Sequence, residues 1–249
     1  MSVDHFLTYL LHEKRYSPHT IHSYEGDLLQ FRDFMLVTFN TELEDAVHTH
    51  VRDFMVWLME QGNSASSVGR KLSTLRTFFK YLIREEKVRV NPMAFVKAPK
   101  IPKRLPVFVD DHKMDQLLDS KEFFDDTFRS VRDKLVIETL FGTGVRLAEL
   151  LSIKESDIDF YEQSIRILGK RMKERVVPIT KPLANLLKEY IDLKSLQKFN
   201  NKTEVLFVTN KGAAASRGLI GKIVNRYLTY ISTQDKRSPH VLRHSYATA

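Results

Sequence analysis

The sequence contains no cysteine, which excludes a disulfide framework and thiolate-bound metal and suits a reducing compartment. Long apolar runs are missing too: no stretch approaches the roughly 18–20 residues that a membrane span needs. The opening Met1-Ser2-Val3-Asp4 lacks the pattern of a secretory signal. Neither an internal repeat nor a long low-complexity tract is present. These absences lead to the expectation of a cytoplasmic protein without membrane contact, whose stability comes from packing.

What is present is enough apolar material for ordinary cores, 43% of 249 residues, and a chain length that favours two domains of modest size. The net charge of +8 is unevenly spread. Residues 1–63 carry four Lys/Arg against ten Asp/Glu, residues 64–97 carry eight against two, and residues 98–249 carry 27 against 19. A solvated surface usually mixes its charges, so the change from acidic to basic at residue 64 points to a surface that faces a polyanion.

The first hundred residues read as helices. Ser17-Pro18 has the form of an N-cap followed by proline in the first turn, and Ile21, Tyr24, Leu28, Phe31 and Met35 recur at helical spacing behind it. Thr49 is the expected cap of the next helix, which turns Val51, Phe54 and Leu58 inward and ends at Gly62. Ser64, Ser66 and Ser67 open a fourth helix with the apolar stripe Val68, Leu72, Leu75, Phe79 and Leu82. Its other faces carry Arg70, Lys71, Ser73, Thr74, Arg76, Thr77 and Lys80. Short hydroxyls among long cations suit a helix lying in a DNA groove, where hydroxyls permit close approach and cations reach phosphates or base edges. A solvated basic face is the alternative.

Asn91-Pro92 ends the helical domain, placed over 1–97, because a residue before proline is biased away from helical angles. Residues 98–106, with Lys100, Lys103 and Arg104 among three prolines, read as an extended basic linker able to cross a DNA backbone. A second domain over 107–249 opens with a short helix from Asp110 to Ser120 and a stronger one broken by Gly142-Thr143-Gly144. Alternation over Ser164–Leu168 and Arg175–Pro178, around a basic turn, predicts a β-hairpin. A helix over Pro182–Leu196, a strand over Val205–Val208 and a helix over Ser216–Ile231 follow. The expected fold is mainly α with a small β-sheet: four helices, then an α+β domain.

Three segments of that second domain each put a cation or imidazole beside a turn or helix start. They are Gly142–Leu150, which holds Arg146 and Glu149, the hairpin turn with Lys170, and Pro239–Ser245, which holds His240, Arg243 and His244. In this order the segments resemble the T-G-x-R-x-x-E-L motif, the hairpin lysine and the H-x-L-R-H motif of the tyrosine-type site-specific recombinases, the Xer and phage-integrase family. The helical domain resembles that family's SAM-like core-binding domain.

The resemblance implies DNA strand exchange through a 3′-phosphotyrosyl intermediate, with no cofactor and no metal. Arg146 and Arg243 would stabilise the charge on the scissile phosphate with planar donor forks. Lys170 would protonate the departing 5′ oxygen, and His240 would assist the proton transfer or hydrogen-bond the phosphate. Glu149 would steady Arg146, and His244 would play a supporting or packing part. The partners implied are a double-stranded recombination site and further protomers, as a homotetramer or paired with a related recombinase. Each residue also has a plainer reading: Arg146 and Glu149 as an i,i+3 ion pair, Lys170 as one of several solvated turn cations. A zinc site on His240 and His244 is disfavoured by Arg243 beside them.

The family's nucleophilic tyrosine lies beyond H-x-L-R-H, and Tyr246 follows Arg243 too closely to fill that role. The chain is therefore expected to be cut short before its nucleophile, and to bind DNA without cleaving it. For the intact protein, Xer-like resolution of replicon dimers or integration of a mobile element is expected. The other classes considered are a type IB topoisomerase-like activity and a non-catalytic DNA-binding regulator.

Overall fold

The computed structural model describes residues 2–102, 109–120, 122–169, 173–199, 203–231 and 237–246, the last of these without side chains from residue 244. The chain divides into two compact units, Met1–Arg104 and Leu105–Ala249. The architecture is mainly helical with one small antiparallel sheet.

In the first unit four helices surround an aromatic core: α1 (Ser2–His12), α2 (Pro18–Phe39), α3 (His48–Glu60) and α4 (Ala65–Arg84). Each boundary has a local cause. Ser17 Oγ accepts the Thr20 N–H at 3.4 Å, and Asn40 closes α2 in the left-handed region with φ 52°. Ser64 Oγ accepts the Ser67 N–H at 3.2 Å, so both serine caps sit where the sequence places them. Thr49 does not cap α3. That helix starts one residue earlier, at His48, and the Val47 N–H donates to His50 Nδ1 at 3.4 Å. Phe6, Phe31, Phe54, Phe78 and Phe79 are fully buried, with Phe6 edge-on to Phe78 at 5.2 Å between ring centres.

The second unit is organised around α6 (Phe128–Thr143), whose Leu135, Val136, Ile137 and Leu140 are fully buried. Preceding it is α5 (Asp111–Asp119), and following it are α7 (Leu147–Ser152) and the strands β1 (Ile158–Asp159), β2 (Ser164–Leu168) and β3 (Glu174–Pro178) in the order β1-β2-β3. Ile165 pairs with Val177, and the inward residues Ile165, Ile167 and Val177 join the core. Three helices complete the unit: α8 (Lys181–Leu196), α9 (Arg217–Ile231) and α10 (Pro239–Tyr246). Val205–Val208 is not a strand. Val205 bridges to Lys154 and Val208 to Ala214, isolated pairings that leave no continuous ladder. Beneath them runs a buried polar strut, in which Arg132, 2% exposed, donates to Asp133, the Val208 carbonyl and Asn210.

Candidate functional site

The C-terminus of α6 builds the first wall of a cleft. Gly144 stops the helix with φ 59°, a left-handed conformation that a side chain would strain, and its N–H caps the Leu140 carbonyl at 3.2 Å. The chain then turns so that Arg146 becomes the N-cap of α7. Glu149, in the first turn of α7, accepts the Arg146 backbone N–H and the Arg146 guanidinium, each at 2.8 Å. The arginine itself stays exposed, with 57% of its side chain reaching solvent.

Glu149 is buried and has a second partner. Arg175, on β3, donates to it through both terminal nitrogens at 3.0 and 2.7 Å. Burial alone would push this carboxyl up. The hydrogen bonds from Arg175 and from the Arg146 backbone and side chain outweigh that and hold it down at about 2. Gly169 lies against this pair: a Cβ there would come within 3.1 Å of the Lys173 carbonyl and 3.4 Å of the Arg175 guanidinium. The base of the hairpin is thus pinned to the start of α7.

The third wall is α10, anchored by buried Val241 and Leu242. Arg243 donates from its guanidinium to the Gly144 carbonyl, which brings it back to the end of α6. Thr143, Gly144, Arg146, Arg175, Val177 and Arg243 line an open cleft of about 600 Å³. Three guanidiniums line one concavity, and two of them, Arg146 and Arg175, share the buried Glu149 carboxylate. This arrangement suits a tetrahedral oxyanion approached by planar donor forks.

The cleft therefore gathers Arg146, held by Glu149, and Arg243, held by the Gly144 carbonyl. His240 is exposed on α10 one turn before Arg243 and is not among the cleft's lining residues. Lys170 lies outside the described residues, as do Lys103 and Arg104, and for His244 only the helix that carries it is described. Among the described residues no three His, Asp or Glu side chains gather as a metal-binding group.

On α4 the basic face divides. Ser73, Arg76 and Lys80 are exposed, with Arg76 also donating to the Val96 carbonyl at 3.0 Å. Thr77 is half-buried and gives its hydroxyl to the Ser73 carbonyl at 3.0 Å. Thr74 corrects the expectation of an outward hydroxyl: it is 1% exposed and donates to Asp27 at 2.9 Å. Lys71 reaches the same carboxylate at 3.1 Å and is largely covered. Arg70 grips Asp27 through two nitrogens yet keeps half of its side chain in solvent. The buried Asp27 draws these groups inward and fixes the orientation of α4 on α2. Lys100 is exposed.

Sequence reasoning missed Asp27 and the role of Arg175. Alternation in β3 puts Arg175 on the same face as Val177, and a charge on that inward face was the available signal. For Asp27 the signal was an acid beside Leu28 on the core-facing side of α2.

Residues 108–249 match the phage integrase family, and residues 3–86 match the phage integrase N-terminal SAM-like domain. The chain is 36% identical over 251 residues to a tyrosine recombinase XerC of Halalkalibacterium halodurans, covering 99% of this chain and 82% of that protein. It is 35% identical over 246 residues to a tyrosine recombinase XerC of Staphylococcus aureus, covering 98% and 81%. Among solved structures, the XerH recombinase bound to palindromic difH substrate matches with a TM-score of 0.77 at 22% identity, over 100% of this chain and 73% of that one. A lambda integrase dimer bound to a core site matches at 0.74 and 17% identity, over 99% and 87%. At these two identities the likeness is one of fold.

Proposed function

The chain belongs to the phage integrase family of tyrosine recombinases, and on that premise we propose that it binds a duplex recombination site and holds the scissile phosphate between Arg146 and Arg243. The observation that carries this reading is the cleft itself, where both arginines are aimed by other groups, Arg146 by Glu149 and Arg243 by the Gly144 carbonyl. Donors oriented before the substrate arrives need no reorganisation as charge builds on the non-bridging oxygens, which is what phosphoryl transfer demands.

In this reading His240 hydrogen-bonds the phosphate or passes a proton at its edge, and Lys170 delivers a proton to the departing 5′ oxygen. A tyrosine oxygen attacks phosphorus, the bond to the 5′ oxygen breaks, and a 3′-phosphotyrosyl link forms. The 5′ hydroxyl of a partner strand then attacks the same phosphorus and releases the tyrosine. None of the tyrosines in residues 1–249 is assigned as that nucleophile, so these residues supply the phosphate-binding half of the reaction. The exposed face of α4, with Ser73, Arg76 and Lys80, and the linker cations Lys100, Lys103 and Arg104 hold the duplex. Residues 1–97 act as the DNA-binding domain, 98–106 as the linker and 107–249 as the catalytic domain. Four protomers pair two sites. The XerC relatives favour Xer-like resolution over integration of a mobile element.

The test is a gel assay on nicked suicide DNA with candidate sites, comparing this chain with one continued to the stop codon of its gene. A covalent adduct from the continued chain alone, lost on Arg146→Ala or Arg243→Ala, is expected. Salt-sensitive binding with no adduct from either chain would replace the reading with a non-catalytic DNA-binding regulator.

A further inference from the structure

At the other end of α6 from the cleft, a length of roughly 24 Å at 1.5 Å per residue, lies an open basin of about 520 Å³. Three separate pieces of chain turn cations into it: Arg129 from the first turn of α6, Lys211 from the turn after Val208, and Lys222 and Arg226 from successive turns of α9. Arg132 and Asp133 form its floor, both buried, and Asp133 accepts two hydrogen bonds from Arg132 at 3.0 and 2.7 Å. The single carboxylate in the basin is thus already matched by a buried guanidinium. Arg226 comes no nearer to it than 3.8 Å. Arg129, Lys211 and Lys222 are exposed, and among the described residues no side-chain hydrogen bond or ion pair holds them, although the Arg129 charge is felt at Asp133.

Cations of like sign repel, and the one carboxylate, Asp133, pulled on by Arg132, Arg129 and Arg226, does not account for converging four exposed cations on one concavity. An anionic ligand does. We propose that this basin is a second phosphate-binding site, distinct from the cleft, in which Arg129, Lys222 and Arg226 hold the backbone of duplex DNA. The inference rests on the DNA-binding reading given above and extends it to residues outside the motifs. The chemistry favours a nucleic-acid backbone over an acidic peptide. Lys222 and Arg226 stand one helical turn apart and Arg129 faces them from another helix, so the basin offers a row of charges to a ligand that carries one charge per residue. It is also open, as a passing duplex requires. Free polyphosphate shares the chemistry, and the experiment separates the two.

The affinity of this chain for a duplex is measured from low to moderate salt, for wild type and for K222Q/R226Q, R129Q and K222Q alone, with thermal melting to verify folding. Each lost phosphate contact reduces the slope of log K against log salt by roughly 0.9. The double variant is therefore expected to lose roughly 1.8, each single variant roughly half of that, with a cooperative melt retained in every variant. R146Q/R243Q serves as the reference for cleft contacts, and its loss should add to that of the basin variant. A wild-type slope retained in all basin variants overturns the inference while leaving the DNA-binding reading intact. No salt-dependent binding by wild type overturns both. Tripolyphosphate that shifts the Arg226 guanidinium NMR signal, with DNA slopes unchanged, overturns the DNA-backbone assignment in favour of a free polyanion.

Discussion

Arg175 donates both terminal nitrogens to the carboxylate of Glu149, the group that also takes the backbone and side-chain donors of Arg146. One buried carboxylate thereby ties the hairpin to the residue that opens α7. A cleft wall made from two distant segments becomes one unit, and movement of β3 is felt at Arg146.

The first prediction concerns acid. Glu149 is held at about 2, below the ordinary carboxylate value, so its stabilisation is complete above the unfolded pKa and is lost as pH falls through the folded one. Glu149→Gln is expected to cost on the order of 2–3 kcal/mol at pH 7, reduced from the full linkage value because both guanidinium heads reach solvent. The gap between wild type and variant in urea denaturation should narrow below pH 5 and close near pH 2. A gap constant from pH 7 to 3 would show that the charge of Glu149 does not stabilise the fold.

A second prediction follows from the buried pair on α6. Burial raises the Asp133 pKa, against the pull of Arg132, Arg129 and Arg226, so this carboxylate depends on its neighbours to stay charged. Arg132→Ala removes the donors to Asp133, Val208 and Asn210 together and leaves a buried acid uncompensated. The cost should be about 3–5 kcal/mol. Asp133→Asn, which keeps an acceptor for Arg132, should cost less. Denaturant titration of the two variants ranks them, and the reverse order would refute the argument.

The third prediction separates the two faces of α4. Thr74→Val removes a buried hydroxyl donor but leaves Asp27 bound to Arg70 and Lys71, so stability should fall by about 1–2 kcal/mol with duplex affinity unchanged. Lys80→Gln should do the opposite, weakening DNA binding with stability intact. Filter binding and thermal melting of both variants check this, and a Thr74→Val variant that loses affinity while melting normally would return Thr74 to the groove face.

How far the sequence reaches is clear from these same residues. The hairpin was legible because a period of two is local and its inward face is apolar, and the caps at Ser17 and Ser64 are written within four residues. The cleft arginines were legible through their motifs. What escaped depends on partners far along the chain. Thr74 turns inward because of Asp27, 47 residues away, and Arg175 is recruited by Glu149, 26 residues away. Val205–Val208 has strand-like composition, yet its neighbours offer single bridges where a ladder needs a full strand. Propensity sets what a segment can do, and tertiary contacts decide.

The two glycines of the Gly142-Thr143-Gly144 segment, alike on paper, make the last prediction. Gly142 lies inside α6, exposed, with nothing within 4 Å of where a Cβ would be. Alanine there restricts the unfolded chain and suits the helix, so Gly142→Ala should stabilise by about 0.5–1 kcal/mol. Gly144 is different: its φ of 59° is left-handed, and its carbonyl holds Arg243. Gly144→Ala should cost about 1–2 kcal/mol and also loosen Arg243, so that affinity for duplex DNA drops along with stability. Thermal melts and duplex binding of the two variants give opposite signs if the helix ends at Gly144 for the reason given. Equal losses at both positions would mean that the whole segment is strained, and that the grip on Arg243 does not depend on this one left-handed residue.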